Sequence, residues 1–174
     1  TLTVDSIAGS GGTTINGGTL VALSDGSSNG TFERTGTTTI NNGGTLTIRG
    51  AMLGAVVPSN PTWNSNIVIN SGGQLRTYYN GSSGSSILMS VANTITGTGE
   101  IYFEEISTVY YRNNSDQTLS VDVTADSGFT QGGLELLGTG TVTYDGTVTA
   151  IIRVKNGTLK PGSNFDATGG TISI

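Results

Sequence analysis

The sequence predicts an all-β fold, a parallel β-helix or solenoid of about six or seven coils forming one domain over residues 1–174. Three observations predict it: a Gly-Gly-Thr-Leu unit that recurs along the chain, short runs in which apolar and polar residues alternate, and a scarcity of charge. Leu46-Thr47-Ile48 is typical of the runs. Such alternation is the period of a strand with one buried face. Ala, Leu, Glu and Lys never cluster at helical spacing, so no helix is expected.

The repeat fixes the architecture. Ile15-Asn16-Gly17-Gly18-Thr19-Leu20 returns as Ile40-Asn41-Asn42-Gly43-Gly44-Thr45-Leu46, as Ile69-Asn70-Ser71-Gly72-Gly73-Gln74-Leu75, and as Val154-Lys155-Asn156-Gly157-Thr158-Leu159. Weaker copies are Ile95-Thr96-Gly97-Thr98-Gly99-Glu100-Ile101 and Gln131-Gly132-Gly133-Leu134. The apolar markers Leu20, Leu46, Leu75, Ile101, Leu134 and Leu159 are separated by 26, 29, 26, 33 and 25 residues. Periods of this size belong to solenoids and arrays. A hairpin-built sandwich would show turns every ~8–12 residues with no longer register.

Each copy reads the same way. A β-branched residue ends one strand, and Asn and Gly then supply the left-handed conformations of a tight corner. The next strand opens with Thr and Leu. Stacking places Leu over Leu and Asn over Asn, so the core is an apolar ladder and the corner a polar one. Gly17, Gly18, Gly43, Gly44, Gly72, Gly73 and Gly157 are the expected corner glycines. The segments near 50–66, 80–86 and 112–117 are expected to be loops leaving the column, the last accounting for the 33-residue interval. The competing fold is a β-sandwich or jelly-roll subunit of a donor-strand filament, which explains the terminal strands but not the repeat.

Composition bounds the function. The chain carries a formal charge of −5, with seven Lys and Arg scattered and no basic run. Nothing here attracts a phosphate backbone, so a nucleic-acid partner is not expected. No apolar stretch reaches the ~18 residues of a membrane span, so no membrane insertion by this chain is expected. Histidine and cysteine are absent. That removes Ser-His-Asp and Cys-His catalysis and zinc sites built on those ligands. The absence of cysteine also rules out a disulfide framework. A Thr-, Asn- and Gly-rich chain that begins at Thr1 without a leader is read as secreted, either a mature subunit or a slice of a longer one.

One stretch resembles a known family. Leu137-Gly138-Thr139-Gly140-Thr141-Val142-Thr143-Tyr144-Asp145-Gly146-Thr147-Val148-Thr149, followed by Val154-Lys155-Asn156-Gly157-Thr158-Leu159-Lys160-Pro161-Gly162, is similar to the passenger-associated repeat of bacterial autotransporters. The resemblance spans roughly 25 residues and implies a right-handed parallel β-helix displayed on a cell surface. It speaks to architecture and not to activity, since that family's passengers include adhesins, toxins and proteases. No membrane barrel follows within these residues.

Candidate site residues are few. Glu104 and Glu105 are adjacent, so on a strand they face opposite ways and make no glycosidase pair. Glu100 and Glu104 share a face with Tyr102, a strip suited to a sugar. In Tyr78-Tyr79, Tyr102-Phe103 and Tyr110-Tyr111 one ring points inward and the other outward. Outer rings at matching positions would stack into a ladder, so Tyr79, Tyr102 and Tyr110 join Trp63, which stands in a loop near two prolines, as contacts for a glycan or partner. The calcium-binding nonapeptide repeat is missing, and Asp25, Asp116, Asp126, Asp145 and Asp166 sit near turns, where Asp bonds backbone. No metal and no cofactor is expected. Asn29, Asn80, Asn113 and Asn156 begin glycosylation sequons.

The ends carry the strongest functional hint. Leu2 and Val4 lie in a strand pattern at one terminus, Ile172 and Ile174 in another, with no Lys or Pro guarding either. The expected function is a non-catalytic structural or adhesive protein of the bacterial surface. Its expected partner is itself, head to tail in a filament through these strands, or the remainder of a longer passenger. The alternative is a glycan-binding or glycan-cleaving β-helix.

Overall fold

A chain that turns the same way at every corner returns to each face running in its original direction, so successive strands on a face lie parallel. The computed structural model of the protein describes residues 1–4, 7–24, 32–34, 36–50, 62–63, 65–77, 86–89, 91–104 and 106–174. Among them there is no helix, and every strand pairing is parallel. The result is a β-solenoid with three faces.

The first face is a six-stranded sheet of Leu2–Val4, Gly18–Ser24, Gly44–Gly50, Gln74–Thr77, Glu100–Phe103 and Asp122–Ala125. The second stacks Thr62–Trp63, Ser86–Met89, Thr108–Tyr111, Gly133–Leu136, Ile151–Val154 and Thr171–Ser173. Ile7–Gly9 and Phe32–Arg34 pair with each other, and the latter touches Thr62–Trp63. The third face begins as Thr13–Ile15, Thr38–Ile40, Ile67–Ile69 and Ile95–Gly97. It breaks there and resumes as Gln117–Leu119, Thr141–Tyr144 and Thr158–Pro161. The coil count therefore differs slightly from the six or seven expected: the first and third faces are regular for about four turns, after which the third ladder is interrupted.

The apolar ladder is present on the first face. Leu2, Leu20, Leu46, Leu75, Ile101 and Val123 are successive partners, and a single bridge adds Val148. Leu46, Leu75, Ile101, Val123 and Val148 have no solvent exposure. Ile40, Ile67, Ile69 and Ile95 close the core from the third face, and Val109, Leu134 and Ile152 from the second. Later coils use aromatics: Phe103, Tyr111 and Tyr144 are buried, with Phe129 and Phe165 packed against Phe103 and Tyr144 at 6.0 Å between ring centroids. The Tyr144 hydroxyl donates to the Val121 carbonyl at 2.7 Å, which satisfies its polar end inside the core.

Two expected features are corrected by this register. Leu134 and Leu159 do not continue the ladder of Leu20, Leu46, Leu75 and Ile101: Leu134 pairs with Val109 on the second face and Leu159 with Val142 on the third. A Gly-containing corner marks a change of direction without saying which corner it is. With Val123 and Val148 restored, the last spacings become 22 and 25 residues, and the 33-residue interval disappears. Nor is 112–117 a loop leaving the column. Asn113 is buried and ties this corner to the Asn93 carbonyl at 3.1 Å.

The segment 50–66 likewise contains a strand, Thr62–Trp63, in register with Leu88 and Met89. Residues 51–61 and 80–85 lie outside the described residues.

The expected corner glycines all stand at corners, but Gly157 stands at a different one from the rest. Gly17, Gly18, Gly43, Gly44, Gly72 and Gly73 connect the third face to the first, and Gly157 connects the second to the third. Gly72 has a φ of +76, and a Cβ there would run into the Asn42 side chain. Gly133, which opens a strand of the second face, has a φ of +106, and its Cβ would meet the Ile151 carbonyl. Both demands exclude an L side chain.

Leu75→Ala removes the middle rung of the ladder and leaves a void between Leu46 and Ile101. It is expected to cost about 2–5 kcal/mol in denaturant unfolding, whereas Thr14→Ala on the outer side of the third face shifts stability by at most ~0.5 kcal/mol.

Candidate functional site

Alternation on the first face sends every second side chain outward, and stacking lines those side chains up. Thr45, Gln74, Glu100 and Asp122 form one outer row, and Thr47, Arg76, Tyr102 and Thr124 the next. Gln74 Nε2 donates to Glu100 Oε2 at 2.6 Å, and the Thr124 hydroxyl donates to the other oxygen of Glu100. Arg76 Nε donates to Glu104 Oε1 at 2.7 Å, and its guanidinium lies 4.8 Å above the Tyr102 ring. The Tyr102 hydroxyl donates to Asp126. Glu100, Tyr102 and Glu104 do share a face. Beside them an open groove of about 410 Å³ runs along the corner of Gly72, Gly73 and Gly99.

The chemistry of this strip is directed at itself. Both Glu100 oxygens accept bonds from neighbouring coils, and one face of the Tyr102 ring is covered by Arg76. The hydrogen bond to Asp126, then burial, raises the Tyr102 pKa above the ordinary phenol value. Glu105 lies outside the described residues.

Tyr102 and Tyr110 do not form the expected ladder of outer rings. They belong to one coil on two different faces: Tyr102 has Arg76 and Thr124 as neighbours, and Tyr110 has Leu88 and Glu135. Burial, then the nearby Glu135 carboxylate, raises the Tyr110 pKa, and Glu135 also lies 3.9 Å from Arg153. The inward and outward assignments hold in both pairs, since Phe103 and Tyr111 are buried. The backbone of Trp63 is in register with Met89 on the second face, while its side chain and all of Tyr79 lie outside the described residues.

The terminal strands are single-partnered. Among the described residues Leu2–Val4 pairs only with Gly18–Ser24, and Thr171–Ser173 only with Ile151–Val154. Leu2 is 61% exposed and Ile174 97%, while Ile172 packs partly against the core. The two strands lie on different faces, first and second. A direct continuation of one into the other is therefore not the geometry of a stack.

The corners hold a set of contacts that residue counting missed. Asn41 Nδ2 donates to Asn16 Oδ1 at 2.7 Å and Asn70 Nδ2 to Asn41 Oδ1 at 2.6 Å, the amide ladder the repeat predicts. Further along, side chains of one coil accept backbone N–H groups of the next: Asn114 from Thr139, Asp116 from Thr141 and Asp122 from Thr147, at 2.8–3.0 Å. All three have the same 25-residue offset, which was the available signal. Among the described residues no three acidic groups gather as a metal site would require. Of the sequons, Asn113 is buried and Asn156 is exposed, while Asn29 and Asn80 lie outside the described residues.

Comparison with known protein families, with curated proteins and with solved structures finds no match for this chain.

The last coils are closed by carboxylates. Asp145 accepts the Asn164 backbone N–H at 2.6 Å and its side-chain amide at 2.9 Å, and Asp166 accepts the Thr168 hydroxyl at 2.6 Å and N–H at 2.8 Å. These bonds lower both pKa values, with the Asn164 N–H the largest cause for Asp145 and the Thr168 hydroxyl for Asp166. A depressed folded pKa gives stabilisation that is complete above the unfolded value of ~3.9 and lost as pH falls through the folded one. The protection factors of the Asn164 and Thr168 amides, exchange rates corrected for the intrinsic pH dependence, are expected to fall below about pH 4. Asp145→Asn should remove that acid response at Asn164.

Proposed function

We propose that this chain is a non-catalytic structural segment of an extracellular, cell-surface protein: a β-solenoid rod that lengthens by stacking further coils on its ends. One observation carries the reading. The column of Leu20, Leu46 and Leu75 runs out to Leu2, which is exposed on a strand that, among the described residues, has a partner on one side only. An open strand edge is a row of unpaired N–H and C=O groups that accepts another strand. The next coil of a longer chain, or a second copy set head to tail, would bury Leu2 and complete those bonds.

Several features support the same reading. The outer strip of Gln74, Arg76, Glu100 and Tyr102 spends its polar atoms on cross-coil bonds, as a load-carrying surface does. The stacking of copies is heterologous and does not close, so it propagates into a filament. The composition and the resemblance of residues 137–162 to the autotransporter passenger repeat support a surface location, and adhesion is the role proposed for such a rod.

The test uses the purified 174-residue chain at high concentration, by electron microscopy and sedimentation. The expected result is filaments one solenoid wide, dispersed by Leu2→Lys combined with Ile172→Lys. Monodisperse particles at every concentration sink the self-stacking reading.

A further inference from the structure

The third face differs from the other two. Over its first four strands the outward positions form a grid of three rows, and no charged residue occurs at any of the twelve positions. The central row is Thr14, Thr39, Val68 and Thr96, in register from coil to coil. Every member is β-branched, so each presents a methyl group on a stiff side chain. One flanking row is Asn16, Asn41, Asn70 and Thr98, and its three amides are bonded in line at 2.6–2.7 Å. The other is Gly12, Thr37, Asn66 and Thr94, in which Asn66 Oδ1 accepts both the N–H and the hydroxyl of Thr94. All twelve are exposed or part-exposed.

The grid is rigid before it meets anything. Its amides are held by one another and its central side chains have little rotamer freedom to lose, so ordering a partner costs little entropy on the protein side. Its spacing is set by the sheet: about 4.8 Å between strands and two residues, ~6.6 Å, between rows. A surface of this kind matches a partner that is itself a periodic, uncharged lattice of hydrogen-bonding groups.

Three candidates meet that description, and the size and composition of the face separate them. The patch measures about 14 by 13 Å, on the order of 200 Å². A stable protein partner, including a second copy, needs ~800 Å² on each side. A crystalline polysaccharide is gripped by aromatic platforms against its sugar rings, and none of the twelve positions is aromatic. Ice remains. Its faces are neutral arrays of oxygens whose repeat lies close to the spacing between strands, and alternating methyl and hydroxyl or amide groups order water between them.

We infer that the third face, centred on Thr39 and Thr96, binds the surface of ice. This is independent of the stacking function, which uses the ends of the column and leaves its sides free.

The experiment grows polycrystalline ice in the presence of the labelled 174-residue chain and measures its incorporation, alongside inhibition of ice recrystallisation. The chain is expected to enter the ice and slow recrystallisation. Thr39→Lys with Thr96→Lys should lose both effects, while Thr19→Lys on the first face keeps them. Melting temperatures of all three confirm that they fold. Exclusion of the unsubstituted chain from ice overturns the inference whatever the variants do, as does equal incorporation of the Thr39→Lys, Thr96→Lys protein. Retention on cellulose or chitin powder without ice incorporation overturns it in favour of a crystalline glycan. A lateral dimer broken by the same two substitutions, again without ice incorporation, overturns it in favour of a second copy.

Discussion

Each residue of this protein is judged mainly against its own counterpart one coil away. In a parallel stack the side chain above position n sits about 4.8 Å higher in the same orientation, so like must pack on like. Leucine on leucine fills the first-face column with no solvent exposure from Leu46 to Val148. Asparagine on asparagine lets Asn41 donate to Asn16 below it and accept from Asn70 above it. A slip of one residue would turn Leu46 to water and Thr45 into the core, so the buried column and the amide ladder hold the same register from two sides.

Backbone hydrogen bonding explains what happens where that ladder ends. The strands satisfy one another, but the corners leave N–H groups that only a neighbouring coil can reach. Through the first coils the corner backbone does this itself, as when the Gly43 N–H donates to the Gly72 carbonyl and the Gly18 N–H to the Gly43 carbonyl. At Gly97 the φ is +102 and a Cβ would strike the Ile69 carbonyl, so the next coil approaches more closely and Asn gives way to Thr98. The third-face ladder breaks at this point. Beyond it the corners rely more on side chains, as Asn66 already does for Thr94: Asn114, Asp116 and Asp122 reach up and accept the N–H groups of Thr139, Thr141 and Thr147, while backbone bonds such as Asp145 N–H to the Leu119 carbonyl continue.

This shift decides how far the fold could be read from the residues. The first three copies carry Asn and Gly-Gly at one corner, and there the sequence showed the strand phase, the buried Leu column and the Asn ladder. Later copies keep a glycine but at a different corner: Gly133 leads into the second face and Gly157 into the third. Backbone freedom is all that a glycine signals, and all three corners of a coil require it. Leu134 and Leu159 were therefore placed on the wrong face, while Val123 and Val148, which no Gly-Gly precedes, were overlooked. The outer strip was legible in part, because alternation fixes that Glu100, Tyr102 and Glu104 face outward together. Its pairing with Gln74 and Arg76 was not, since that depends on the spacing between coils and not on alternation.

The division of charge among the faces follows from the same stacking rule. Like charges in register one coil apart repel at close range, so a parallel stack must alternate their sign or omit them. The first and second faces alternate: Arg76 stands beside Glu104 at 2.7 Å, and Arg153 lies 3.9 Å from Glu135. Where two acidic residues do meet in register, as Glu100 and Asp122 do, each carboxylate is bound by a donor, Gln74 and Thr124 for one and the Thr147 N–H for the other. The third face takes the second solution and omits charge through four coils. Such omission gives up the solubility that surface charge provides. It leaves a plane whose pattern is set only by methyl, hydroxyl and amide groups at fixed spacing, and so a plane that discriminates by periodicity where its neighbours discriminate by sign.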